Sequence, residues 1–126
     1  MTKKIPAPNP APETQAFWDA AARGKFLIRR CTACGRAHWY PRSTCPFCWG
    51  DTEWVEATGR GRIYSYSVMR RAPEPYAIAY VTLEEGPTML TNLVDCDFGA
   101  LAVGQQVRLK FSPSDGGPPV PTFTVA

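Results

Sequence analysis

The sequence lacks several features by which membrane proteins and secreted proteins are usually recognised. None of its 126 residues belongs to an apolar run near the roughly 20 residues that span a bilayer. The start, MTKKIPAPNPAP, is basic but has no apolar segment of the kind found in a secretory signal. The chain therefore predicts a cytoplasmic protein that has no membrane partner.

The sequence also lacks the residue combinations that carry out common reactions. GRGR at 59–62 has neither the Lys-Ser/Thr pair nor the following helix of a phosphate-binding loop. Glu84 and Glu85 lie at a predicted turn, where we expect solvated charges rather than an acid–base pair. The single histidine, His38, has no evident catalytic partner, and the unpaired Cys96 is expected to be a small buried or semi-exposed residue rather than a nucleophile. We therefore expect no catalytic residues in this chain.

Charge is distributed unevenly along the chain, although the net charge is only +3. Residues 23–71 include ten basic and three acidic side chains, whereas 72–126 include two basic and six acidic ones. The basic half is compatible with an anionic partner (phosphate, nucleic acid or an acidic protein surface) and equally with a solvated face. The low net charge and the acidic second half argue against nucleic acid as the main partner.

Hydrophobic patterning predicts a mainly β protein with one helix near its start. Residues 1–12 are rich in proline and alanine and are expected to be flexible. Residues 13–24 predict a helix with Phe17 and Trp18 on its apolar side. Five strands with glycine and proline turns are predicted at 53–57, 62–71, 77–84, 88–95 and 105–111, with PTFTVA closing the chain. This pattern favours a five-stranded OB-fold barrel over 53–126, with a sandwich as the alternative.

Four of the five cysteines form two C-x-x-C pairs within CTACGRAHWYPRSTCPFC. Each pair predicts a tight turn whose backbone N–H groups donate to sulfur, and two such turns can place four thiolates about 2.3 Å from a zinc ion. Four thiolates leave no open position for water, so the predicted site is structural, with one zinc per chain. The predicted ligands of this rubredoxin-like zinc ribbon, over 25–52, are Cys31, Cys34, Cys45 and Cys48.

Other chemistries of these cysteines are less well supported. An iron site of the rubredoxin kind is the alternative to zinc, because CPFC also resembles that knuckle. A redox dithiol is disfavoured because neither pair opens a helix within a βαβ pattern. Without a secretory signal, thiolate ligands are expected rather than disulfides. With four thiolates available, His38 is not expected to be a ligand.

Arginines and aromatic residues alternate through the ribbon and the first long strand. This mixture can bind single-stranded nucleic acid through stacking and phosphate contacts, or it can hold the adenine and phosphates of coenzyme A. The aromatic residues can also simply form the core between ribbon and barrel. Candidate residues for coenzyme A, chosen on charge and position alone, are Arg29, Arg42, Arg62 and Trp39.

Over residues 13–124 the chain resembles the zinc-ribbon/OB-fold proteins associated with acyl-CoA metabolism, a family long catalogued as a domain of unknown function. The similar segments are FWDAAARGKFLIRRC, the cysteine-rich ribbon, EWVEATGRGRIYSYSVM, AYVTLEEGPTMLTNLVD and VGQQVRLKF. The resemblance implies a helix, a ribbon and a barrel in this order, and all four ligand cysteines of the ribbon are present.

The same resemblance implies an accessory subunit rather than an independent enzyme. Members of the family pair with thiolase-like enzymes (thiolases, acyltransferases and aldolases) and help to bind or channel acyl-CoA. We therefore expect a hetero-oligomer with a thiolase-fold partner and acyl-CoA as a ligand. A single-stranded nucleic-acid-binding module and a stand-alone acyl-CoA binder are the alternatives.

Overall fold

The structure is a computed structural model that describes residues 5–126. Residues 1–4, which begin the segment predicted to be flexible, lie outside the described residues. A short 3-10 helix, Pro12–Thr14, continues into helix α1, Gln15–Ala22. The strands of the described chain are β1 (Leu27–Cys31), β2 (Ala37–His38), β3 (Thr52–Glu56), β4 (Arg60–Met69), β5 (Tyr76–Leu83), β6 (Thr88–Leu93), β7 (Gln106–Ser112) and β8 (Val120–Val125).

Helix α1 lies within the segment where the apolar pattern predicts a helix. Phe17, Ala20 and Ala21 are buried on its inner side. The N–H of Gly24 donates to the carbonyl of Ala21 at 2.9 Å, and the φ of +78° at Gly24 is the left-handed conformation that commonly ends helices. Because the first turn is a 3-10 helix, the α-helix begins at Gln15.

Strands β2, β1 and β3 form a three-stranded antiparallel sheet in that order, and this sheet carries the cysteine turns. β1 pairs along its whole length with β3, so that Ile28 lies opposite Val55 and Arg29 opposite Trp54. The prediction that 53–57 is the first barrel strand is therefore wrong. A short run such as EWVEA favours a strand, but it does not specify the neighbouring strand.

The remaining strands close into a barrel in the order β4-β5-β6-β8-β7. Its neighbouring strands are antiparallel except for β6 and β8, which run parallel where Leu93 lies opposite Phe123. β8, from the closing PTFTVA segment, is thus the fifth strand of the barrel. A mainly β protein with an N-terminal helix, a ribbon and a five-stranded barrel consistent with an OB-fold is confirmed.

Helix, ribbon and barrel share one hydrophobic core. Phe17 of α1 packs edge-on against Phe26, with 6.1 Å between the ring centroids, and Phe26 in turn lies 6.4 Å from Phe123 of the barrel. All three side chains are at most 2% exposed. The apolar stripe of the helix is therefore occupied within the chain itself, and the helix orients the ribbon relative to the barrel.

The described part of the N-terminal segment runs beside the loop before β8. The N–H of Asp115 donates to the carbonyl of Ile5 at 2.7 Å, and Pro6 forms an isolated parallel bridge with Asp115. Among residues 5–126 there is no helix of the length and apolarity needed to cross a membrane.

Candidate metal centre

The two C-x-x-C turns are each closed by backbone hydrogen bonds. Cys31 ends β1, and its N–H donates to the carbonyl of Arg36 at 2.9 Å, so the chain turns back towards β2. In the second turn the N–H of Cys45 donates to the carbonyl of Gly50, also at 2.9 Å. Local backbone geometry thus fixes the direction of the cysteine side chains in both turns.

The two turns bring four sulfur atoms together. The Sγ atoms of Cys31, Cys34, Cys45 and Cys48 all lie within 4.8 Å of one another. Cys31 Sγ is 3.4 Å from Cys48 Sγ, and Cys34 Sγ is 3.8 Å from Cys45 Sγ. Sulfurs about 2.3 Å from a tetrahedral zinc ion are separated by about 3.8 Å, so the four cysteines are positioned to bind a zinc ion.

Backbone N–H groups stabilise the thiolate form of Cys31. The N–H groups of Cys34 and Ala33 each lie 3.3 Å from its Sγ atom, and they lower the pKa of Cys31 to about 6. In the second turn the N–H of Phe47 donates to Cys45 Sγ at 3.4 Å. The first turn therefore favours the deprotonated form of Cys31, the form that coordinates metals.

Crowding of the sulfur atoms has the opposite effect on Cys48. The Gly50 N–H lowers its pKa, but the nearby Cys31 sulfur, burial, and the Cys34 and Cys45 sulfurs outweigh this effect and raise it to about 11. Four thiolates at this spacing need a compensating positive charge, which a divalent cation at their centre supplies. Four protein ligands leave no position for water, so the arrangement suits a structural ion rather than a catalytic one.

His38 has a structural environment and does not belong to the sulfur cluster. It is 3% exposed, and its Nε2 atom accepts a hydrogen bond from the N–H of Arg42 at 3.2 Å. Burial lowers the pKa of His38, so the neutral form that accepts this bond is favoured. His38 therefore holds the loop that leads into the second cysteine turn.

Two of the coenzyme A candidates are half-buried and contact other parts of the protein. The guanidinium carbon of Arg29 lies 4.2 Å from the centroid of the Trp54 ring, and its Nη1 atom donates to the carbonyl of Thr52 at 3.2 Å. Trp39 packs against Phe17 and Phe26, with ring centroids 5.4 and 5.8 Å apart. Both side chains thus contribute to the ribbon and its junction with the helix.

Arg42 and Arg62 are exposed, and they lie in different parts of the molecule. Arg42 lies in the loop between β2 and the second cysteine turn, where its carbonyl accepts a hydrogen bond from the Thr52 hydroxyl at 2.7 Å. Arg62 lines an open groove of about 540 Å³ on the barrel surface, together with Arg60 and Arg108. The four predicted coenzyme A residues are therefore not brought together, and Arg108 is a basic neighbour that the sequence did not identify.

We call this groove the arginine groove, and its three arginines differ in whether they form an ion pair. Arg60 and Arg108 are directly opposite each other on β4 and β7, and Arg62 is two residues further along β4. Arg60 Nε lies 2.6 Å from Glu84 Oε2, and this contact raises the pKa of Arg60. Among the described residues, Arg62 and Arg108 have no ion-pair partner, so their charges remain available.

The other residues considered for catalysis have structural surroundings. Glu85 Oε2 accepts the N–H of Thr58 at 2.8 Å, and Glu84 is the partner of Arg60. Cys96 is half-buried, and burial raises the pKa of its thiol, which makes it a poor nucleophile.

Comparison with known families agrees with both parts of this architecture. Residues 18–55 match the family described as "ChsH2, rubredoxin-like zinc ribbon domain", and residues 54–112 match "ChsH2, C-terminal OB-fold domain". The first match contains all four ligand cysteines, and the second begins at Trp54, two residues after the ribbon strand β3 starts.

Two relatives and one solved structure extend the comparison. The chain is 37% identical to the "Probable enoyl-CoA hydratase alpha subunit" of Thermomonospora curvata, over 94% of this chain but 40% of that protein. It is 36% identical to the "DUF35 domain-containing scaffold protein" of Methanothermobacter thermautotrophicus, over 65% of this chain and 68% of that protein.

The solved structure titled "Ltp2-ChsH2(DUF35) aldolase" contains a chain that superposes with a TM-score of 0.82 and 32% identity, over 94% of this chain and 98% of that one. The present chain thus corresponds to less than half of the hydratase subunit but to nearly all of the ChsH2-type chain. The chain therefore belongs to the ChsH2-type DUF35 family, in which a rubredoxin-like zinc ribbon is followed by an OB-fold domain.

Proposed function

We propose that this chain is a non-catalytic accessory subunit that assembles with a thiolase-fold enzyme and helps it to bind acyl-CoA. The observation that carries this proposal is the convergence of four cysteine sulfurs, a donor set that leaves no open position on a bound zinc ion and so suits a structural site. Among residues 5–126, His38, Glu84, Glu85 and Cys96 have structural surroundings, and none of them forms a nucleophile–base pair.

The printed names of the relatives support an accessory role without naming the partner of this chain. One relative is called a scaffold protein, another a hydratase subunit, and the structural neighbour belongs to an aldolase complex. All three names describe a component of a larger assembly, and two refer to enzymes. A subunit that provides a surface to an enzyme is the function common to them.

Coenzyme A contact is assigned in this proposal to the arginine groove rather than to the ribbon. Phosphate groups favour sites with arginine side chains that are not already paired, and Arg62 and Arg108 satisfy this condition. Arg29 and Trp39 are engaged within the protein, and Arg42 lies outside the groove. A groove open along one side is suited to a ligand that is also held by a second protein.

Single-stranded nucleic acid is less well supported as a ligand. In OB-folds it binds across the face formed by the second and third barrel strands, here β5 and β6. The outward residues that alternate along these strands include Ile78 and Tyr80 on β5 and Leu90 and Asn92 on β6, and none of them is basic. A positively charged groove along the backbone is a general requirement of such binding.

The test is affinity purification of the tagged chain from its native cell extract, followed by mass spectrometry and by activity measurements on the recovered enzyme. We expect a thiolase-fold protein in near-stoichiometric amount, whose activity on acyl-CoA falls when the chain is removed and returns when it is added back. An enzyme whose activity is the same with and without the chain contradicts the proposal. Calorimetry of the isolated chain with acyl-CoA separates this role from that of a stand-alone binder, which alone predicts strong binding without the enzyme.

A further inference from the structure

Gly35 and Trp49 occupy equivalent positions in the two cysteine turns. Each residue directly follows the second cysteine of its pair. The Gly35 N–H donates to the carbonyl of Cys31 at 3.1 Å, and the Trp49 N–H donates to the carbonyl of Cys45 at 2.9 Å. Their φ angles are +76° and +68°, so both residues adopt the left-handed conformation that this turn requires.

This conformation suits glycine and is unfavourable for tryptophan. A residue with a Cβ atom in the left-handed region loses about 1 kcal/mol or more relative to glycine, and bulky side chains are rare there. The first turn follows the favourable pattern, C-x-x-C-G, whereas the second reads C-x-x-C-W. The tryptophan at position 49 therefore has a local conformational cost that the first turn avoids.

Packing within the chain does not offset this cost. The Trp49 side chain is 84% exposed, more than any other large hydrophobic side chain among the described residues. Within residues 5–126 it belongs to neither the aromatic contacts nor the hydrophobic core. Trp18, Trp39 and Trp54, by contrast, all pack against the core.

The indole is presented from a fixed backbone. The Trp49 N–H is bonded within the turn, and the next residue, Gly50, accepts from Cys45. A Cβ atom at Gly50 would lie 3.3 Å from the sulfurs of both Cys31 and Cys48, so the chain after Trp49 runs directly against the sulfur cluster. A tryptophan on such a backbone loses little conformational entropy on binding, a property of interface anchors.

The surroundings of Trp49 indicate the chemistry of its partner. Phe47, in the same turn, is 51% exposed, and the guanidinium carbon of Arg36 lies 4.1 Å from its ring centroid. Residues 25–52, which form the ribbon, have five basic side chains and one acidic one. An apolar anchor within a basic surface is complementary to an apolar pocket with carboxylates at its rim.

We propose that Trp49 is an anchor residue that inserts into an acidic-rimmed apolar pocket of the partner enzyme. This inference rests on the proposed function, because it assigns the docking surface of the same complex. The tip of the second cysteine turn, Phe47–Trp49, is then a contact surface in addition to its role in holding the metal. The exposed indole provides the binding energy, and the basic ribbon favours the correct orientation.

The test measures binding of purified Trp49 variants to the purified thiolase-fold enzyme. Trp49→Gly puts at position 49 the residue best suited to this φ angle. Trp49→Asn keeps a Cβ atom but uses a residue type that tolerates the left-handed region. Both variants are expected to retain one zinc per chain with an unchanged or higher melting temperature. Both are expected to bind the enzyme at least about thirtyfold more weakly, as is typical of a central tryptophan.

Tyr64→Ser is the matched control, because Tyr64 is another highly exposed aromatic residue, at 67%, but lies on the barrel. It should bind the enzyme as the unchanged protein does. The inference is overturned if both Trp49 variants bind with unchanged affinity, while the proposed accessory function then still stands. If the unchanged chain binds no thiolase-fold enzyme, both proposals fail. If the unchanged chain instead binds oligonucleotides and the Trp49 variants do not, the anchor is assigned to nucleic acid.

Discussion

The ring of Phe17 on helix α1 lies 5.4 Å from the ring of Trp39 in the ribbon, at an interplanar angle of 65°. This edge-to-face contact joins two elements that are 22 positions apart and have no strand pairing with each other. Phe26 contacts both rings and reaches Phe123 in the barrel. A helix of eight residues is too short to be stable alone, so this cluster determines whether it forms.

Phe17→Ala is predicted to destabilise the protein by about 3–5 kcal/mol, the usual range for removing a buried phenylalanine. The side chain is 1% exposed, and its loss leaves a cavity bordered by Trp39 and Phe26. Urea unfolding followed by circular dichroism measures the change. Leu90→Ala, at a side chain that is 54% exposed on the barrel, is the control and should change stability by less than about 1 kcal/mol. An equal effect of the two substitutions would contradict the role assigned to the cluster.

The metal centre is the part of the structure that the sequence predicts best. Its residues are close in sequence, and the C-x-x-C spacing restricts each pair to one compact turn. Only ten residues separate Cys34 from Cys45, and they include β2, which pairs with β1 beside the first turn, so little depends on distant parts of the chain. Local geometry alone is therefore sufficient to predict four convergent sulfurs.

Strand partners and side-chain environments depend on distant residues, and they are predicted less well. The pattern of β3 fits a barrel strand and a ribbon strand equally, and only its pairing with β1 decides between them. The position of Trp39 among arginines predicts a ligand-binding role, whereas its contact with Phe17 depends on how the helix folds back and has no local signal. For Trp49 a local signal was present: it stands where the first turn has Gly35.

Cys45→Ser is predicted to remove the bound metal and to unfold the ribbon, because Cys45 is fully buried and supplies one of four ligands of a closed site. Metal content by inductively coupled plasma mass spectrometry should fall from one zinc per chain to well below one. Cys96→Ser is the matched control, since Cys96 lies outside the sulfur cluster, and it should retain full zinc content.

The identity of the metal is tested on the same preparations. A d¹⁰ zinc ion gives a colourless protein, whereas iron in four thiolates gives a red protein with visible charge-transfer bands. We expect no visible absorption and a loss of folded structure on chelation. A red preparation, or a chelated protein that keeps its circular dichroism spectrum and melting temperature, would overturn the assignment of a structural zinc.

His38→Gln is predicted to reduce the acid sensitivity of stability. Burial lowers the pKa of His38 below its ordinary value of 6.5, so the unfolded chain takes up this proton first as the pH falls. The contribution of His38 to stability is therefore fully present above pH 6.5 and is lost between 6.5 and the lower pKa of the folded state. The slope from this group is at most about 1.4 kcal/mol per pH unit.

The measurement is urea unfolding of both proteins at several pH values between 7.5 and 5. Glutamine can accept a hydrogen bond from the Arg42 N–H, as His38 does, but it does not titrate in this range. Protonation of the cysteine ligands affects both proteins equally, so the difference between their slopes isolates His38. Parallel stability profiles would show that the histidine does not titrate with folding.

The double substitution Arg62→Gln and Arg108→Gln is predicted to weaken coenzyme A binding by the assembled complex by roughly tenfold to a hundredfold. This corresponds to about 1.4 kcal/mol or less for each of two charge-assisted contacts with phosphate. Glutamine retains much of the length of the side chain and removes its charge. Calorimetric titration of the complex with coenzyme A and with dephospho-coenzyme A distinguishes a contact with the 3′-phosphate from one with the diphosphate.

Arg70→Gln is the control for a general effect of net charge, because Arg70 is exposed but lies outside the arginine groove. If the loss of affinity came only from long-range attraction, each substitution would weaken binding equally and 0.5 M salt would abolish the differences. A specific contact predicts instead that Arg62 and Arg108 matter much more than Arg70 does. Unchanged affinity in the double variant would remove the groove from the acyl-CoA site, and the phosphate contacts would then have to come from the partner enzyme.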